Sequence, residues 1–201
     1  KRYTEAEIRE VSGVKDGDNL FLLNKYQVIR NIAEALPYVE LEETRVQRKL
    51  PDALLIEIKE CGDPLAWAQD GTVWLVSPGG KIVEQRNTVG DYPTIDGCRL
   101  LAPSVGTLIA LDTENDTRRQ SLLELLAALE AADKLGEVDA IHIGNAAYLT
   151  MDCMGRFSVE LNYDADFAYK LRTLDAILAS GKIQENMTGT FNMRGEDGKT
   201  N

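Results

Sequence analysis

The side chains in this chain that could do chemistry are few and scattered. There is one histidine, His142, inside the apolar run 138–143. One imidazole with no HExxH spacing and no sequence-local serine and aspartate signals neither a metalloprotease helix nor a Ser/His/Asp relay. His142 therefore reads as a strand residue. Cys61, Cys98 and Cys153 are odd in number, far apart and outside any C-x-x-C spacing. No zinc knuckle or disulfide framework is signalled, at most one bridge can form, and each cysteine reads as a small buried side chain. Asp112, Glu114 and Asp116 imitate the start of a calcium loop. Thr117, however, stands where that loop needs glycine, and Leu123 where it needs a bidentate glutamate. Ser77-Pro78-Gly79-Gly80 lacks the flanking residues of a phosphate-binding loop and reads as a hairpin turn. Paired carboxylates for acid/base work can always be found among 33 acidic residues, so they single out no site. The expectation is no catalytic residue, no metal and no cofactor.

Charge narrows the partners. The formal net charge of −11 argues against nucleic acid and against an anionic membrane surface as ligands, since both are polyanions. Residues 1–61 carry −2 of it and residues 62–201 carry −9. This excess reads as a solvated face. A hydrophobic fraction of 44% is enough for a packed core, and no window approaches the roughly 18 uninterrupted apolar residues of a membrane span.

The elements that would position any site are well punctuated. Thr4-Glu5-Ala6-Glu7 is a capping box, so a helix begins near Glu5, buries Ile8 and Val11, and stops at Gly13. Asn24 caps a second helix with Val28, Ile32, Ala35 and Leu36 at helical spacing, ended by Pro37. Leu54, Ile56 and Ile58 alternate in a strand over 53–60. A partner strand over 39–48 needs a bulge near Glu42-Glu43 to keep Val39, Leu41 and Val46 on the core. Further on, Asp70-Gly71 joins two strands as a type I′ turn, and Lys81 to Glu84 follows as another strand. After Asp91-Tyr92-Pro93 the region to Leu111 carries less pattern. Asp116 or Thr117 then opens a helix with Leu122, Leu125, Leu126, Leu129 and Ala132 on one stripe, ended by Gly136. Strands are expected over 138–143, 147–151 and 156–163. A helix over 166–180 burying Phe167, Leu171, Leu174 and Leu178 and a final strand over 187–194 complete the order.

The order of the first 67 residues resembles a POTRA domain. More specifically, Val46 to Glu60 followed by Pro64-Leu65-Ala66-Trp67 resembles the hairpin and exit of the POTRA domain in the bacterial cell-division proteins FtsQ and DivIB. Gly13, Gly17, Asn19-Leu20-Phe21 and Leu36-Pro37-Tyr38-Val39 stand where that family's pattern puts them, and Gly155 to Leu161 and Phe191 to Arg194 resemble strands of its β domain. Departures are a slightly longer segment between Pro37 and Pro51, and Cys61 where a basic residue is common. The resemblance implies an α+β fold, with a POTRA domain over 1–61 lacking its first strand, a β domain with two helices on a sheet over 62–194, and a polar tail over 195–201. It also implies an upstream first strand, a transmembrane helix and a short cytoplasmic tail, with this chain on the outer face of the cytoplasmic membrane.

What the family does is expected to be binding, by strand addition to an open sheet edge. The partners the resemblance implies are FtsB/DivIC-like and FtsL-like divisome proteins. Carried over by position, the candidate contacts are Thr188, Thr190, Asn192 and Arg194 on the last strand, with Ala168 and Arg172 on the helix before it. Two other readings are a POTRA-bearing polypeptide-transport module, which would show tandem POTRA repeats, and an extracellular hydrolase with facing carboxylates in a deep pocket.

Overall fold

The computed structural model describes residues 2–112, 116–184 and 186–195. Glu114 of the acidic cluster and residues 196–201 of the expected tail lie outside the described residues. The chain divides into two compact units, Lys1–Gly62 and Asp63–Asn201.

In the first unit, α1 (Glu5–Ser12) begins at the capping box, with the Thr4 side chain accepting from Glu7 N and Glu7 reaching back to the Thr4 backbone. Gly13, at φ 74°, closes it in the left-handed region. α2 (Lys25–Ala35) starts at Asn24, whose Oδ1 accepts from the amides of Tyr26 and Gln27. Its buried stripe runs through Val28, Ile32, Ala33 and Leu36, whereas Ala35 is exposed. Ala33 lies one turn beyond half-buried Ile29 on the inner side, and Ala35 is the last residue of the helix. β1 (Arg45–Lys49) and β2 (Ala53–Glu57) form an antiparallel hairpin that presents Val46, Leu54 and Ile56 to the helices. The expected bulge is instead a break. Val39 makes only an isolated bridge to Glu60, residues 41–43 turn, Thr44 Oγ1 donates to Glu40 O at 2.7 Å, and Leu41 is exposed. A full turn lets the chain skip the residues that a bulge would have had to keep in register.

The second unit is an eight-stranded mixed sheet in the order β10-β9-β8-β7-β6-β3-β4-β5. β3 (Leu65–Gln69) and β4 (Thr72–Val76) meet at Asp70 and Gly71, with φ of 52° and 76°, the type I′ geometry that Asp-Gly favours. β5 (Ile82–Arg86) closes one end. β6 (Thr94–Asp96) was not legible as a strand, yet it lies at the centre, parallel to β3 and to β7 (Val138–His142). Just past β6, Gly97 at φ 97° lets two backbones approach so closely that an added Cβ would sit 2.2 Å from Gly144 N. β8 (Tyr148–Cys153) and β9 (Phe157–Asn162) continue as an antiparallel meander, and β10 (Gly189–Asn192) returns parallel to β9.

Two helices cover one face. α3 (Thr117–Ala131) buries Leu122, Leu125, Leu126 and Leu129 completely or nearly so, and α4 (Phe167–Ala179) adds Phe167, Leu171 and Leu174. These oppose Ile141, Leu149, Val159 and Leu161 of the sheet in one core. Ala132 does not join it, because the helix ends at Ala131 and Asp133 takes the left-handed turn at φ 56°. Gly136 is therefore not the stop: a 3-10 turn over Leu135–Glu137 already leads into β7. Asp116 precedes α3, but its carboxylate pairs with Arg119 and makes no side-chain cap.

Candidate functional site

The last strand makes a ladder on one side only. Gly189 N donates to Arg156 O at 3.2 Å and Met193 N to Glu160 O at 3.0 Å. Backbone groups alternate sides along a strand, so Phe191 also faces β9, while Thr190 and Asn192 turn their N–H and C=O groups outward. Among the described residues no strand pairs with that outer edge. Side chains alternate as well. Phe191 reaches the helix-covered face and tilts against Phe157 with centroids 5.1 Å apart, and exposed Thr190 and Asn192 lie on the opposite, open face. The strand is pinned at its far end. Lys170 of α4 donates to Gly195 O at 2.8 Å, and Asn162 Nδ2 to Arg194 O at 2.7 Å.

The six residues singled out from sequence divide between two faces. Arg194 lies across the open face, with Nε 3.1 Å from a Glu160 oxygen and its guanidinium 4.5 Å from the Tyr148 ring centroid. Thr188 precedes the strand and is exposed. Ala168 and Arg172 stand one turn apart on the outer side of α4, in the helix layer that covers the other face. What joins the two groups is the rim itself, between them.

The open face also carries a polar network that no sequence spacing announces. His142 Nδ1 lies 2.9 Å from Asp96 Oδ1, and Nε2 lies 3.1 Å from Asp152 Oδ2. Ser158 donates its hydroxyl to the other oxygen of Asp152. Ionised carboxylates only accept, so both bonds are made together when the imidazole carries a proton on each nitrogen. Burial alone would lower its pKa, but the bonds to Asp96 and Asp152 outweigh that and raise it above the ordinary histidine value. Burial would raise the Asp152 pKa, and the bonds from Ser158 and His142 overcome this and lower it. The chemistry is a charge clamp across β6, β7, β8 and β9. It does not have the arrangement of a relay, because the serine donates to the carboxylate and both imidazole nitrogens face carboxylates rather than the hydroxyl. Among the described residues no group of three or more His, Cys, Asp or Glu is placed to hold a metal ion. None of the three cysteines is in a disulfide, and burial pushes the Cys153 thiol up to about 11, which keeps it protonated at neutral pH.

Among the described residues of the first unit, β2 pairs only with β1. Along its other side runs a groove of about 410 Å³, with Ile8, Ser12 and Val14 on one side and Leu54 and Ile56 on the other. Inner-face side chains of β2 that alternate apolar are thus only partly covered.

Comparison with known proteins gives these edges a context. A family model described as POTRA domain, FtsQ-type, matches residues 1–60. The chain is 32% identical over 89 residues to cell division protein DivIB of Clostridium botulinum (strain Hall), a match covering 44% of this chain and 34% of that protein. It is 22% identical over 180 residues to cell division protein DivIB of Clostridium tetani, covering 89% of this chain and 66% of the relative. The chain spans about a third of the length of the first curated relatives it matches. The helix pair laid on a hairpin in the first unit is therefore an FtsQ-type POTRA domain. The similarity to DivIB of Clostridium tetani extends through most of the second unit, so beyond its POTRA domain the chain is similar to cell-division proteins of the DivIB type. No helix among the described residues is long and apolar enough to cross a membrane.

Proposed function

We propose that this chain is the extracytoplasmic part of a single-pass, membrane-anchored divisome scaffold that works by binding, not catalysis. It recruits FtsB/DivIC-like and FtsL-like partners to the septum by accepting a partner strand on the outer edge of β10. The supporting observation is the edge: Thr190 and Asn192 hold their backbone donors and acceptors outward on a strand anchored by β9 and Lys170. In the same reading, the groove beside β2 receives the extended segment that precedes Tyr3, which completes the POTRA sheet. Thr188, Thr190, Asn192 and Arg194 line the partner strand, and Ala168 and Arg172 contact whatever the partner places over α4.

Hydrogen exchange tests this directly. Adding the outer segment of a DivIC-like partner should slow exchange of the Thr190 and Asn192 amides, while the Phe191 amide, already in the ladder, changes little. Unaltered exchange at 190 and 192 under saturating partner would remove the strand-addition reading.

A further inference from the structure

The sheet of the second unit has its shortest ladders at its centre. β6 is three residues long. Its register with β7 covers Thr94↔Ala140, Ile95↔Ile141 and Asp96↔His142, and its register with β3 is the single pair Ala66↔Thr94. This seam divides β3, β4 and β5 from β7, β8, β9 and β10. At the start of β6 and β7 lies an open cleft of about 510 Å³, lined by Pro93, Val138 and Asp139. Just past their ends the two backbones cross at Gly97 and Gly144, which have no side chains to link them. On the helix-covered face Ile95 and Ile141 share the core with the leucines of α3. On the open face the seam is bridged by Asp96 and His142, and Asp152 carries the bridge on to β8.

That bridge depends on one proton. With a proton on each nitrogen, the imidazole donates to Asp96 at 2.9 Å and to Asp152 at 3.1 Å at the same time. With one proton it donates to one of them only, and the lone pair of its other nitrogen then points at a carboxylate oxygen, which is an unfavourable contact. Two carboxylates also face the ring with less positive charge between them. The ionisable groups of the neighbouring strands do not take its place. β3 contributes none, Asp139 of β7 accepts from Gly155 N, and Ser158 of β9 already donates to Asp152. Glu160 of β9 adds negative charge and holds Arg194, whose guanidinium lies over Tyr148 of β8. The His142 side chain is 38% exposed, so its proton exchanges with solvent without unfolding. We propose that Asp96, His142 and Asp152 form a pH-sensitive lock on this seam, closed while the imidazole carries both protons and released when it loses one.

Release is local, because the apolar side of the seam stays in the core while the open side loses its bridge. The folded imidazole holds its proton more tightly than an ordinary histidine. The lock is therefore closed at the ordinary value of about 6.5 and opens as pH rises through the higher folded value. Ile143 reports on it directly, since its amide donates to Asp96 O at 2.9 Å. β10 lies in the half beyond the seam, so the lock sets how rigidly that edge is carried.

The test follows the tag-free chain, whose one histidine is His142, by NMR from about pH 5.5 to about pH 8.5. The imidazole nitrogens should titrate with a midpoint above the ordinary value of 6.5, and Asp96→Asn and Asp152→Asn should each move that midpoint down. Over the same range the hydrogen-exchange protection of the Ile143 amide, corrected for the intrinsic effect of pH on exchange, should fall. The fall should exceed any in the β3–β4 ladder by roughly threefold or more. In His142→Gln, which cannot titrate, the protection of the two ladders should keep a constant ratio. A parent midpoint at or below 6.5, or one that neither asparagine variant moves, overturns the proposal. So does a loss of protection shared equally by both ladders, which would make the bridge a contributor to overall stability and not a lock on the seam. Every readout uses the free chain, so none of these outcomes bears on partner docking at β10.

Discussion

Proline at two adjacent positions of β10 should have opposite consequences. At Thr190 the amide faces outward, so Thr190→Pro removes a donor that the sheet does not use. At Phe191 the amide faces β9, so Phe191→Pro removes a ladder bond and also the ring that tilts against Phe157. For Thr190→Pro, an approaching partner strand loses one hydrogen bond and buries an unsatisfied carbonyl, a cost of ~1–3 kcal/mol. That corresponds to a Kd raised roughly 5- to 150-fold. Thermal unfolding of the free protein should move little. For Phe191→Pro the cost falls on the fold, ~2–4 kcal/mol from the lost bond and the half-buried ring, and the melting temperature drops. Isothermal titration with a DivIC-like outer segment and differential scanning calorimetry read the two effects separately. If Thr190→Pro binds like the parent chain while retaining its melting temperature, the outer edge of β10 is not where the partner strand docks.

Two further substitutions test the scaffold behind that edge. Gly97→Ala forces a Cβ to within 2.2 Å of Gly144 N at a left-handed φ and should lower stability by about 2–5 kcal/mol in urea titrations. Gly136→Ala, with nothing within 4 Å, should change it by less than about 0.5 kcal/mol, and equal effects would contradict the close approach of β6 and β7. His142 binds its proton more tightly folded than unfolded. Its contribution is therefore complete below the ordinary imidazole value of about 6.5 and is lost as pH rises through the higher folded value. Urea midpoints of the parent chain should fall across that window, and His142→Gln should flatten the slope. A parent midpoint that rises with pH there speaks against the clamp.

What could be read from the sequence follows the range over which each signal acts. Capping at Thr4 and Asn24, the Asp70-Gly71 turn and the leucine stripe of α3 are decided within a few residues, and the structure has each of them. β6 is three residues long, too short to show a period, and becomes a strand because β3 and β7 supply partners on both sides. The His142 clamp joins side chains 46 and 10 positions apart, so it exists only once strands from distant segments are neighbours. The turn at residues 41–43 replaces the expected bulge because alternation alone does not distinguish a bulge from a turn that leaves the ladder. Of the candidate contacts, the parity of Thr190, Asn192 and Arg194 was legible, but the face opposite to Ala168 and Arg172 was not.

That division constrains how the proposed partner gains specificity. β10 is four residues long and spans only about 13 Å, and the side chains it offers beside its edge are a threonine and an asparagine. Backbone bonding there is nearly blind to partner sequence, and a strand this short gives little net free energy against the cost of ordering a segment. The β2 edge differs, because Ile8, Val14, Leu54 and Ile56 give its groove an apolar side that rewards one alternating pattern. An occupant of that groove can be selected by its side chains and held as part of the same chain. At β10 the strand supplies register and direction, and discrimination among partners has to come from contacts that reach past the rim, over α4 at Ala168 and Arg172 or across the open face toward Arg194 and Glu160. A partner that combines a short extended segment with an adjoining helix would meet both requirements at once.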